Sequence, residues 1–380
     1  MTSRPLRLQV RSLLLLCVAA GIGSFAAGPW RAQGDPHTLK DALRAKFHIG
    51  TALSVSQLMG RDTAAMRVVT THFNAIVAEN CMKSGELQRE EGVFDFSKAD
   101  RLVALGEQHG MHIHGHTLIW HAQAPRWFFT DKEGNEVSRE VLIGRMRDHI
   151  YTVAGRYKGR VHSWDVVNEA ILDDGSYRPS KFYNIIGEDY IRLAFEFARE
   201  ADPAAKLYYN DYSMAIPAKR AGVVAMISKL QAQGGQIDGI GMQGHVGLDY
   251  PSVAEFERSR LAFAGLGVDV AISELDITVL PSPHDGADVS VGAAYEQAMN
   301  PYPDGLPDSV STALNDRYLR FFGLFLKHED KISRVMLWGV NDGHSWRNGW
   351  PIRGRTDYPL LFDRNNRPKP AVAAIIGLAR

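Results

Sequence analysis

The sequence predicts an α/β chain that closes into a single (β/α)8 barrel, with its functional face at the C-terminal ends of the strands. Three observations lead there. Eight short apolar segments alternate with eight helical patterns, as expected for parallel strands joined by helical crossovers. No glycine-rich phosphate loop follows the first strand, which weighs against an open dinucleotide-binding sheet. Polar and aromatic side chains gather just beyond one strand after another, where a TIM barrel of this kind builds its site.

The strands are read at residues 47–53, 72–78, 111–120, 161–167, 206–209, 237–243, 268–273 and 332–338. Each is a short apolar run bounded by turn residues. Helical spacing is read at 39–46 and 61–71, and then at 96–109, where Ser97 is the expected N-cap. It continues at 139–157, where Val141, Leu142, Met146, Ile150 and Val153 recur on one face. Further helices are expected at 189–201, stopped by Asp202-Pro203, and at 218–234, 253–266, 314–328 and 371–379. Residues 280–311 form one long irregular stretch rich in Pro, Gly and Asp. It follows the seventh expected strand, so it should overhang the functional face.

Composition fits one globular domain. The chain has 380 residues, 45% hydrophobic and 23% charged, which excludes disorder and a coiled coil. Length alone would admit two domains, but α/β barrels of this size are common as one.

Residues 1–30 are expected to be a signal peptide and 35–380 the catalytic domain. Arg4, Arg7 and Arg11 form a basic start, 12–27 is an apolar and small-residue run, and Ser24 to Ala27 offers small residues for cleavage. The run is short for a membrane span. Leu16 precedes Cys17 where a lipoprotein signal needs a small residue. Removing residues 1–33 takes away Arg4, Arg7, Arg11 and Arg31 and no acid, so 43 basic residues fall to 39 against 43 acidic ones. That balance asks for neither nucleic acid nor an anionic membrane. Cys81 alone would remain, so no internal disulfide is expected. The expected location is secreted or periplasmic, and the expected state a monomer.

The central stretch is Trp164-Asp165-Val166-Val167-Asn168-Glu169-Ala170, where an apolar strand ends in an Asn-Glu pair. About a hundred residues later, Ser273-Glu274-Leu275-Asp276 ends another. Two carboxyls at strand ends suit glycosidic bond cleavage, in which one acid protonates the leaving oxygen and one carboxylate meets the developing oxocarbenium ion. Other strand ends carry Glu79, Asn80 and Lys83; His116, Trp120 and His121; Asn210, Asp211 and Tyr212; Gln243 and His245; Trp338, Asn341, His344 and Trp346. Any one of these could merely cap a helix, but together they mark one face. His245 is expected to donate to Glu274, and Asp276 to tune that histidine. Whichever of the two carboxyls is the acid is expected to hold its proton through repulsion by the other, ionised one; the residues alone leave the roles open. His112, His114 and His116 alternate on one strand and invite a metal reading. No further ligand set appears that the carboxyl pair does not already explain, so no metal and no cofactor are expected.

These stretches resemble glycoside hydrolase family 10, the endo-β-1,4-xylanases, from about Phe47 to the C-terminus. The likeness rests on Glu79-Asn80-Cys81-Met82-Lys83, Gly115 to His121, Trp164 to Ala170, Tyr209-Asn210-Asp211-Tyr212, Gly241 to His245, Ser273 to Ile277, Trp338 to Asp342 with Ser345-Trp346-Arg347, and Leu361-Phe362-Asp363 with Pro368-Lys369-Pro370. The resemblance implies a retaining double displacement on xylan, with Glu169 as acid/base and Glu274 as nucleophile. Retention implies carboxyls ~5–5.5 Å apart. It further implies that Glu79, Asn80, Lys83, His116 and Asn168 bind sugar and that Trp338 and Trp346 form a stacking wall. Trp120, Gln123, Tyr212, Gln243 and His245 are lesser sugar-binding candidates, with Asp276 and Asn210 supporting them. Ser84 stands where the family usually has tryptophan, which should weaken or reshape binding one sugar from the cleavage point; Gly244 stands where a bulkier residue is common, which should open space near Glu274. Competing readings are a sister β-1,4-glucanase, a non-catalytic carbohydrate-binding protein and a metal hydrolase.

Overall fold

The computed structural model describes residues 37–283, 287, 288, 290 and 292–380. The expected leader at 1–30 lies outside them. Among the described residues there are nine strands: β1 His48–Leu53, β2 Ala75–Ala78, β3 His112–Trp120, β4 Ser163–Asn168, β5 Lys206–Asp211, β6 Gly239–Met242, β7 His245–Gly247, β8 Asp269–Thr278 and β9 Arg334–Leu337. Every pairing is parallel. The order β6-β5-β4-β3-β2-β1-β9-β8 closes on itself through a β6–β8 pairing, so eight strands make the expected barrel. The ninth, β7, is a short ribbon on the outer half of β8, with His245 opposite Asp276.

The helical ring packs on outward-facing strand residues. Val69, Ile76, Ile113, Val166, Leu207, Ile240, Ile272 and Val335 all belong to one buried apolar cluster. A barrel axis is usually filled with branched aliphatics, but here a polar column runs beside a small apolar cluster of Ala52, Ala75, Val77, Met336 and Trp338. His112 Nε2 and His114 Nδ1 lie 2.9 and 2.7 Å from Ser163 Oγ. His114 Nε2 lies 3.0 Å from Asp165, and Arg334 covers the Tyr208 ring at 4.0 Å. These groups form a polar column from the barrel floor toward the strand C-termini.

Several boundaries differ from the sequence reading, each for a local reason. Phe96, not Ser97, caps the helix Ser97–His109, and the Ser97 amide is taken by Asp95 Oδ1 at 2.9 Å. The expected strand 237–243 ends at Met242 because Gly244 turns with φ +82°, and β7 follows. The expected helix 314–328 starts six residues earlier, at Asp308 after Pro307, on a polar turn without apolar spacing. Short helices Val55–Leu58, Ser84–Leu87 and Lys181–Ile186 lie in loops and were too brief to show a period.

Candidate active site

Strand ends β2, β3, β4, β6, β8 and β9 surround a cavity of about 230 Å³. Glu79, Asn80, Lys83, His116, Trp120, Gln123, Asn168, Glu169, Gln243, His245, Glu274, Trp338 and Trp346 line it together. From the irregular 280–311 stretch, Ala287 reaches the same wall, and the neighbouring Asp288 holds Arg178 at 2.8 Å. Among the expected sugar-binding residues only Tyr212 stays off the wall. It is 3% exposed, and its hydroxyl accepts from Arg178 Nη2 at 2.6 Å. Its aromatic face is already covered by Lys219, 3.7 Å from the ring centre, so it braces the site from behind.

Glu169 and Glu274 are 3% and 4% exposed. Glu274 is held from two sides. Asn210 Nδ2 donates to Oε1 at 2.8 Å, and His245 Nε2 lies 3.2 Å from Oε2. His245 Nδ1 in turn lies 3.0 Å from Asp276, as expected. Asp276 is fixed by Arg347 at 2.9 Å and by the Trp346 indole at 2.7 Å. Burial alone would strip His245 of its proton, but Asp276 and then Glu274 raise it to about 9. The imidazolium is therefore a standing cation beside Glu274.

Glu169 follows a different logic. Trp120 Nε1 donates to Oε2 at 2.9 Å, and Gln243 Nε2 and Asn168 Nδ2 donate to Oε1 at 3.1 and 3.3 Å. Burial nevertheless pushes this carboxyl up to about 7, helped next by the charge of Asp211 and only then by Glu274. The expectation that Glu274 is the main cause is thus corrected: the dry pocket is the larger effect, and a second anion stands behind it. A carboxyl at that value is still about half protonated at neutral pH, where an ordinary glutamate is ionised, and can donate its proton.

The sugar-facing residues are also braced. Lys83 Nζ donates to Asn80 at 2.9 Å and covers the Trp120 ring at 4.8 Å. Asp165 accepts from His116 Nδ1 at 2.9 Å, which leaves Nε2 for an outside partner. Asn168 Oδ1 takes the Asn210 amide at 3.0 Å, so one amide chain ties the two glutamates together. Trp338 packs edge-on to His116 at 5.2 Å, and Trp346 stacks on Trp350 at 4.7 Å.

One expectation about departures fails. A side chain at Gly244 would meet Ile272 Cγ2 at 3.2 Å and the Leu275 backbone at 3.5 Å, so it would point into the barrel wall; the glycine is required by its φ of +82° and opens no space near Glu274. Ser84 is buried at the start of a short helix, away from the cavity lining. The alternating histidines do not converge on a metal: their ring nitrogens turn to Ser163 and Asp165, and among the described residues no group of three or more His, Cys, Asp or Glu could hold an ion.

Asp165, Tyr209, Arg178 and Arg347 were missed as site residues. Asp165 had a signal, since two inward histidines on the next strand need an acceptor. Arg178 and Arg347 come from loops whose course no pattern gives.

A parallel barrel with two buried glutamates on its C-terminal face, one just past β4 and one within the outer half of β8, inside a cleft walled by amides and indoles, has the build of a glycoside hydrolase. The profile of glycosyl hydrolase family 10 matches residues 38–378, and the chain belongs to that family. It is 50% identical over 371 residues to endo-1,4-beta-xylanase A of Xylanibacter ruminicola, covering 97% of this chain and all of that one. It is 38% identical to an endo-1,4-beta-xylanase of Geobacillus stearothermophilus, covering 90% of this chain and 98% of the relative. Among solved structures, a GH10 endoxylanase retrieved from a sugarcane soil metagenome superposes with a TM-score of 0.87 at 45% identity, covering 91% of this chain and all of that chain.

Proposed function

We propose that the protein hydrolyses internal β-1,4 bonds of xylan with retention of configuration. The observation that carries this is the contrast between the two glutamates: burial favours the protonated form of one, and donors surround the carboxyl of the other. Glu274 attacks the anomeric carbon while Glu169 gives its proton to the departing oxygen, so one C–O bond forms as another breaks. The result is a glycosyl ester on Glu274. Esterification removes the Glu274 charge, and Glu169, now ionised, takes a proton from water, whose oxygen displaces the ester and restores both carboxyls. Asn168 is assigned to the sugar 2-hydroxyl, a bond that strengthens in the transition state. Lys83, Asn80 and Glu79 are assigned to the sugars on the non-reducing side, His116 with Asn168 to the sugar at the cleavage point, Gln123 to a lesser sugar contact, and Trp338 and Trp346 to stacking on sugar C–H faces.

The test is reducing-end release from linear β-1,4-xylan and from soluble cellulose, with Glu274→Gln and a chelator arm in parallel. Release from xylan that is lost in the variant and indifferent to chelator supports the reading. Release from cellulose instead would move the substrate to a β-1,4-glucan. Anomer-resolved NMR of early product reads the stereochemistry, and a first-formed β-anomer is expected.

Export to the outside or the periplasm is part of the same proposal. It is supported by the basic and apolar pattern at the start of the sequence and by a polymeric substrate that cannot enter a cell. Among the described residues no helix is long and apolar enough to cross a membrane. The N-terminal residue of the released protein tests the cleavage, and sedimentation tests the proposed monomer.

A further inference from the structure

The backbone at Glu169 is left-handed, with φ +59°, an unfavourable conformation for a residue with a side chain. What holds it there lies on β5. The amides of Ala170 and Ile171, which follow Glu169, both donate to the Tyr209 hydroxyl, at 3.0 and 3.2 Å. Tyr209 donates its own proton to Asp211 Oδ2. Asp211 is fully buried, and its other oxygen lies 2.8 Å from Lys219 Nζ and accepts from the Tyr212 amide at 2.9 Å. Lys219 is buried too, and its ammonium reaches Asp173 at 3.2 Å. On the far side, Arg178 Nε caps the Glu169 carbonyl at 2.9 Å.

We propose that Tyr209 and Asp211, backed by Lys219, are positioning residues for Glu169: Tyr209 clamps its left-handed turn, and Asp211 sets a fixed anion behind its carboxyl. The proposal rests on the acid/base reading of Glu169 given above. No atom of the three lines the cleft that holds the glutamates, so they act only through Glu169. The geometry divides the work. A hydroxyl receiving two consecutive amides fixes direction. Burial raises the Asp211 carboxyl too, while the Lys219 ammonium and the Tyr209 hydroxyl favour its charged form; ionised, it repels negative charge on Glu169 and favours the proton there, consistent with its place as the second cause of the raised carboxyl. Other charges bear on Glu169 as well: Glu274 from β8, Lys83 beyond β2 and Arg178 from the loop after β4. Lys83 and Arg178 favour the ionised form, so Asp211 and Glu274 are the anions that oppose them.

The experiment is kcat and KM against pH on a linear xylo-oligosaccharide for wild type, Asp211→Asn and Tyr209→Phe. Asp211→Asn removes the anion and leaves Lys219 a cation, and both changes favour ionised Glu169. Its alkaline limb is expected to move down by about one pH unit. A purely structural loss would lower the rate without moving the limb. Tyr209→Phe keeps ring and volume, and is expected to lower kcat ten- to a hundred-fold with KM nearly unchanged and the limb in place, as the acid loses its aim. An Asp211→Asn enzyme with the wild-type limb overturns the electrostatic half. A Tyr209→Phe enzyme with wild-type kcat overturns the clamp, and this nearly isosteric variant gives that answer even where Asp211→Asn does not fold. Failure of the underlying reading looks different: wild type itself would release no reducing ends from xylan, and the positioning proposal would fall with it.

Discussion

Asp276 Oδ2 stands 3.0 Å from His245 Nδ1, and it turns a buried imidazole into a cation aimed at Glu274. Burial pulls Asp276 upward, but Arg347 and then His245 hold it down at about 2. The relay Arg347–Asp276–His245–Glu274 alternates in sign, so each charge is neutralised by the next.

A pH dependence of stability follows from the histidine. Its folded value is about 9 against 6.5 for a free imidazole. A proton bound more tightly in the folded state stabilises fully below pH 6.5, and that contribution fades as pH rises toward 9. Denaturant midpoints of wild type are expected to fall over that window, and those of His245→Asn to stay flatter. Parallel curves would remove the relay as a source of stability.

The acid/base glutamate works in the opposite sense. Its carboxyl rises from 4.5 to about 7 on folding, so ionising it above pH 7 costs the folded state. Glu169→Gln is expected to be inactive toward xylan yet more stable than wild type at pH 8, by at most about 3 kcal/mol. At pH 4 the two should melt together. Equal melting at both values would show that burial imposes no cost on this group.

Trp120 gives the converse of the Asp211 prediction. Its indole N–H donates to Glu169 and lowers that carboxyl. Trp120→Phe removes the donor, so the alkaline limb of kcat/KM should move to higher pH even as the rate falls. A shift to lower pH would contradict the assignment.

Asn80 offers a chain-length test. It accepts from Lys83, which lies over Trp120. Asn80→Ala is expected to lower kcat/KM on xylotetraose by about ten-fold, through one lost hydrogen bond and a loosened Lys83. An aryl xyloside, which has no distal sugar to lose, should be affected much less. Equal losses on both substrates would place Asn80 outside the sugar site.

Gly115 tests the packing beneath the site. A Cβ there would come within 2.1 Å of the Trp164 ring, which is fully buried. Gly115→Ala is expected to destabilise by about 1–3 kcal/mol, read by calorimetry, because the indole has no free volume to move into.

The barrel was legible because its strands are short apolar runs that end in chemistry: the run through Val166 and Val167 stops at Asn168-Glu169, and the one through Ile272 stops at Glu274. A carboxylate at the end of an apolar strand stands out in a sequence. Asp165 did not, because it lies inside the strand and its partners His114 and His116 sit on the neighbouring one. Asp211 was visible only as one polar residue in a cluster, since its role depends on Lys219, buried in a helix read as part of the ordinary ring. β7 was hidden by its length of three residues. The cause of the raised Glu169 carboxyl was misread because sequence shows which charges exist, not how dry their surroundings are.

The polar column along the axis has a consequence for anyone seeking a hardier variant. Ser163, Asp165, His114 and His116 join the barrel floor to the cleft in one line of close polar contacts. Filling that axis with aliphatic side chains, a common route to thermostability, would cut the support of His116 and so damage the cleft it was meant to preserve. Durability has to be sought in the outer ring of helices, where packing can be improved without touching the line. In this molecule the scaffold and the working parts share the same atoms at the centre and separate only toward the rim.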